Sequence, residues 1–162
     1  MWNICGGIMQ NKIAWCFKLK DGLRMIEPNE RLAKSYLNEA KSSLHRAEKN
    51  FRDGDLLWAT VVIYYAEYYA LYSFLQRIGI KCENHFCSIM AAGLLLGENY
   101  THIINHHKDK RIDAQYYMKV DKEEQVGKML QEAKVFVAMF DELVSNLSEK
   151  EISEHREKLS RA

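Results

Sequence analysis

His107 and Arg111 stand four residues apart in the segment THIINHHKDKR, and if that segment is helical the spacing puts an imidazole and a guanidinium on one face. A guanidinium forks onto a phosphate and neutralises it, while an imidazole with an ordinary value near ~6.5 moves protons at neutral pH. A phosphate-bearing ligand is the chemistry such a pair suits. The neighbouring His102 and His106 share a face in the same way, and the bland alternative is an exposed, weakly basic stretch. Glu67 is the second informative residue. It lies among Tyr64, Tyr65, Tyr68 and Tyr69 on a segment apolar on two sides, and a buried carboxylate requires a cation or donors. Arg111 is the expected partner, either in a structural ion pair or in a nucleotide or phosphate pocket that Tyr68 also lines. The five tyrosines between positions 64 and 72 suit base stacking and suit a core or interface equally, because the ring packs while the hydroxyl stays bonded.

Cys82, His85 and Cys87 form a C-x2-H-x-C cluster, a spacing outside the usual structural zinc patterns. No metal and no cofactor is expected. The four cysteines (Cys5, Cys16, Cys82, Cys87) include no CxxC pair and read as reduced cytosolic thiols.

Helices must position these groups. Asn29 is the expected cap of a first main helix over about Glu30 to Phe51, in which Ala33, Leu37, Ala40, Leu44, Ala47 and Phe51 form one apolar stripe. Asp55 caps a second, tyrosine-rich helix that stops at Gly79. Its roughly 24 residues span about 36 Å, and its wide apolar surface predicts burial on two sides. A third helix covers about His85 to Leu96 and ends at Gly97. A last long helix starts near Asp121 with the seam Val126, Leu130, Ala133, Val137, Phe140, Val144 and Leu147. Ile13 to Leu19 has the pattern of a short strand, and SEKEISEHREKLSRA reads as a solvated helical extension or frayed end.

The chain has 162 residues, with 23 Lys plus Arg against 22 Asp plus Glu. That length makes one domain, and a formal charge of +1 supplies no global field for nucleic acid. The first nineteen residues lack the basic start and cleavage site of a signal peptide, and no run approaches the ~18 apolar residues of a membrane span. A cytoplasmic protein without a membrane partner is expected. Residues 1–27 form an N-terminal extension whose Trp2 and Trp15 cover a bundle face, 28–147 the helical domain and 148–162 a charged tail.

Three pieces in order resemble the HEPN domain (higher eukaryotes and prokaryotes nucleotide-binding) of the prokaryotic and archaeal type. They are the helix from Tyr36 to Ala47, the tyrosine-rich helix closing on Arg77-Ile78-Gly79-Ile80 with His85 shortly after, and the run from Arg111 to Tyr117. The resemblance covers about residues 27 to 147. It implies an all-α, antiparallel up-down bundle of four to five helices that forms a homodimer, often alongside a minimal nucleotidyltransferase in modules of toxin–antitoxin type. Many members are metal-independent ribonucleases in which an Arg is followed four to six residues later by a His in the dimer cleft. There the imidazole would move protons at the ribose 2′-OH and the leaving oxygen. Here Tyr116 and Tyr117 occupy the place of that His, and a phenol with a value near ~10 is a poor base at neutral pH.

The expected function is therefore a nucleotide-binding or partner-binding HEPN homodimer without standard ribonuclease activity, with Arg111, Glu67, Tyr68 and Tyr117 as binding residues. The resemblance also makes Tyr116 or Tyr117 a candidate acceptor of nucleotidyl transfer from the partner. The alternative is a metal-independent ribonuclease using Arg111 with His107 or Tyr116 on RNA.

Overall fold

A computed structural model describes the backbone of residues 3–162 and the side chains from residue 11 onward. Seven α-helices dominate it: α1 (Asn3–Lys18), α2 (Glu30–Arg52), α3 (Leu56–Arg77), α4 (His85–Leu96), α5 (His102–Tyr117), α6 (Glu123–Asn146) and α7 (Glu149–Ser160). Two short strands, β1 (Arg24–Met25) and β2 (Ile80–Lys81), pair antiparallel. The fold is all-α, as expected.

Local chemistry sets the helix ends. The Asn29 side chain accepts from the Leu32 amide and the Asp55 side chain from the Trp58 amide, each satisfying a donor with no partner inside its helix. Between them a three-residue turn folds α2 back along α3, and these two helices form the largest helix pair of the bundle. α3 is the central element. It packs against α2, α4, α5 and α6, so residues all round it are buried, from Ala59 to Gln76. All seven positions of the α6 seam are buried. Each such aliphatic or aromatic side chain contributes roughly 1.5–3 kcal/mol relative to exposure.

α5 obeys other rules. It buries only Ile104, His107 and Ala114, and no single apolar stripe marks it. It ends at Met118, which adopts a left-handed conformation (φ 55°) and turns its amide back to the Asp113 carbonyl.

Three expectations require correction. Ile13 to Leu19 is no strand: residues through Lys18 belong to α1, whose Ile13 and Cys16 face the core. The C-terminal segment is the expected helix and exposes most of its residues, but it is docked and not frayed. Ser148 and Glu151 form a capping box at its start, Ile152 and Leu159 are buried, and Arg156 Nη1 donates to the carbonyls of Ile26 and Ile78 at 2.8 Å and of Gly79 at 3.1 Å. The charge pattern concealed this packing because the group that docks the helix is itself charged. The cysteines are not all reduced thiols: Cys16 and Cys87 form a disulfide between α1 and α4, with Cα atoms 5.7 Å apart. Seventy-one residues separate them, a distance at which no motif announces a bridge. Cys82 is free and buried. Trp15 is about half exposed and meets Phe86 edge-on, so it covers a bundle face only in part, whereas Cys5 and Trp2 lie outside the described side chains.

Candidate functional site

Arg111 projects from the C-terminal half of α5 across the tyrosine-rich face of α3. Its guanidinium carbon lies 4.9 Å from the Tyr64 ring centre, 5.8 Å from that of Tyr65 and 6.0 Å from that of Tyr116. Nη1 donates to Gln115 Oε1 at 3.3 Å, while Nε is buried without a partner. No carboxylate pairs with Arg111 among the described residues. The ring faces attract the cation and consume none of its N–H donors, so the guanidinium keeps its capacity to fork onto an anion.

The structure separates Arg111 from Glu67, its expected partner. Glu67 is fully buried, and its Oε1 accepts from His107 Nδ1 at 2.7 Å. On the other side, His107 Nε2 donates to Glu132 Oε2 of α6 at 3.0 Å. Helical spacing does put His107 and Arg111 one turn apart, but the imidazole points inward between two carboxylates and is itself fully buried. Burial pushes the Glu67 carboxyl up to about 7. Burial alone would lower the His107 imidazole, but hydrogen bonds and charge from Glu67 and Glu132 outweigh it and raise it above the ordinary value. The triad ties α3, α5 and α6 together.

Beneath the Arg111 shelf lies an aromatic stack. The Tyr68 ring lies parallel to the His85 ring with centres 3.8 Å apart and an interplanar angle of 12°, and its hydroxyl is 3.1 Å from Ser88 Oγ. The Tyr64 hydroxyl and His85 Nδ1 are hydrogen-bonded at 2.8 Å. Burial first, and then the positive charges of Arg111 and Lys108, push the His85 imidazole down to about 4. His85 is therefore neutral at pH 7.

Of the expected binding residues, Arg111 and the candidate catalytic Tyr116 meet at one surface, while Glu67 and Tyr68 are buried below it. Tyr117 is exposed and stacks under Lys119 instead, at 6.0 Å. Tyr116 is likewise exposed and makes no hydrogen bond to a base among the described residues. His102 and His106 line a separate cavity of about 490 Å³ between α5 and α6, beside the Lys110–Asp121 ion pair. With Cys87 in a disulfide, the Cys82–His85–Cys87 spacing offers no metal set, and no group of metal-ligating residues occurs among the described ones.

Sequence reasoning missed His85 and Lys108 as neighbours of Arg111. The spacing of Lys108 and Arg111, three apart in KDKR, was the available signal for one of them. His85 comes from a different helix, and only the packing of α4 on α3 brings it there.

Comparison with known proteins agrees with this architecture. No curated protein and no solved structure matches the chain. The family model for the HEPN domain matches residues 33–144, a span that runs from the first turn of α2 to Val144 in the last turn of α6 and includes Arg111, His85 and the whole tyrosine face. On that match the chain belongs to the HEPN domain family.

Proposed function

We propose that this HEPN chain binds the phosphate of a nucleotide or of RNA at Arg111, as a homodimer that works with a minimal nucleotidyltransferase in a module of toxin–antitoxin type, without standard ribonuclease activity. The observation that carries the binding reading is the Arg111 guanidinium, held over Tyr64, Tyr65 and Tyr116 with no carboxylate to neutralise it. A cation in that position gains most from an external anion, and flanking ring faces accept a base by stacking at about 1–3 kcal/mol per base. Weighing against ribonuclease chemistry, the imidazole nearest in sequence is enclosed by Glu67 and Glu132, and the residue in the motif position is a phenol with no base beside it.

Calorimetric titration with adenosine 5′-monophosphate and a short single-stranded RNA, beside an RNA cleavage assay, tests the reading. Binding should weaken at least about tenfold in Arg111→Ala, the loss of a charge-assisted contact worth roughly 1.5–3 kcal/mol, with no cleavage by either protein. Equal affinity in the variant removes the proposal. Cleavage that disappears in Arg111→Ala establishes the ribonuclease alternative in its place.

A further inference from the structure

We propose that His85 Nε2, the Arg111 guanidinium and the Lys108 ammonium form one cradle for a dianionic phosphate group, the terminal phosphate of a monoester and not a phosphodiester. The proposal rests on the assignment of Arg111 as the anion-binding residue and adds two groups and a charge state to it.

Three polar ends near Arg111 lack protein partners. Tyr64 and Gln115 account for one nitrogen of His85 and one of Arg111 respectively. His85 Nε2 and Arg111 Nη2 make no hydrogen bond within the described residues. Neither is among the polar atoms sealed from solvent without a partner, so both reach the surface. Lys108 Nζ lies 5.7 Å from the Phe86 ring centre, next to His85 in the first turn of α4, and is in no ion pair among the described residues. Lys108 and Arg111 are three apart on α5, and both lie close enough for their charges to bear on His85.

The hydrogen bond to Tyr64 sets what His85 can do. Burial pushes the Tyr64 phenol up, so it keeps its proton, and in the cradle it donates that proton to His85 Nδ1. A neutral His85 then carries its single proton on Nε2, the atom that reaches solvent. With Nδ1 occupied, the ring offers a hydrogen-bond donor and no accessible basic nitrogen. This is a binding group and not a general base. Parallel contact with Tyr68 fixes the plane of the ring, so the donor is oriented before any ligand arrives.

Charge selects the ligand. Facing His85 are Tyr64, Tyr65 and Tyr68 of α3 and Lys108 and Arg111 of α5, while Asp21, in the turn after α1, accepts from Nδ2 of Asn84, the cap of α4, at 3.3 Å. Two fixed positive charges without carboxylate partners match two negative charges. A phosphate monoester carries about −1.5 to −2 at pH 7, and a diester carries one. A bound dianion also offsets the repulsion that Arg111 and Lys108 exert on an imidazolium, so occupancy favours uptake of a proton at Nδ1, with the Tyr64 hydroxyl turning from donor to acceptor.

Two measurements test the cradle. At pH 7.5, adenosine 5′-monophosphate should bind at least about tenfold tighter than adenosine 3′,5′-cyclic monophosphate, which keeps the nucleoside but is a monoanionic diester, a difference of about 1.4 kcal/mol. In Lys108→Ala that preference should fall below about threefold. The second measurement uses the unaltered protein. The proton NMR titration midpoint of the His85 ring should rise by about one unit in sulfate, which stays dianionic through the titration, a shift equivalent to about 1.4 kcal/mol. If adenosine monophosphate binds through Arg111 but the cyclic form binds equally well, or the His85 midpoint does not move, the cradle is wrong and the Arg111 assignment stands. If neither nucleotide depends on Arg111, both fall.

Discussion

His107 shows how one residue type at one spacing can promise catalysis and deliver architecture. Its ring donates to Glu67 and Glu132 at once, and a charged imidazole between two carboxylates stabilises the fold only while it is protonated. Because its folded value is raised, that contribution is fully present below the unfolded value near ~6.5 and is lost as pH rises through the folded one. Glu67, raised to about 7, has the same sign: the folded chain holds its proton more tightly, and stability falls as pH rises from the ordinary carboxylate range through that value. Glu132→Gln should therefore cost about 1–3 kcal/mol at pH 6, the range for a hydrogen bond to a charged group. The gap from the unaltered protein should close as pH is raised to 9. Thermal unfolding of both proteins across that range checks it, and a gap independent of pH would show that His107 is neutral throughout. The sequence argument identified Glu67 as a buried carboxylate in need of a cation, which it is. It named Arg111 as that cation, whereas His107, one turn away on the same helix, is the residue that pairs, and only the rotation of α5 against α3 decides between them.

At the scale of elements, what was legible is what depends on neighbouring residues. Asn29 and Asp55 cap their helices, α4 runs from His85 to Leu96, and the α6 seam is buried throughout, because caps and 3.6-residue periodicity are local properties. What escaped was set by partners distant in sequence. The Cys16–Cys87 bridge holds α1 to α4, and Arg156 holds α7 to the junction of β1 and β2. The same junction has Gly79 at φ 78°, where an added Cβ would lie 2.5 Å from the Ile26 carbonyl, so the chain there is close-packed as well as hydrogen-bonded. Arg156→Leu keeps most of the side-chain bulk and removes the donor to three carbonyls. It should destabilise the fold by about 2–3 kcal/mol, read as a lower urea midpoint with an unchanged slope. An unchanged midpoint would mean that water replaces the guanidinium at no cost.

For the molecule as a whole, the near balance of charge leaves the Arg111 surface as a local patch on an almost neutral body. Long-range attraction of RNA is thereby excluded, and recognition must come from contact. At the end of α5 Tyr116, Tyr117 and Met118 are exposed, and Tyr116 sits at the rim of that patch. A homodimer that covers this rim would enclose the phosphate site between two copies. Light scattering at micromolar concentration should give about twice the 19.0 kDa chain mass. Tyr116→Asp should shift it toward the monomer, and a monomer in the unaltered protein would leave each Arg111 site to act alone.

The contact between Arg156 and Ile26 joins residues 130 positions apart. At about 5–20 residues per second on the ribosome, on the order of ten seconds separates the emergence of the Ile26 carbonyl from that of its guanidinium donor. The β1–β2 junction gains this donor only when α7 has left the ribosome.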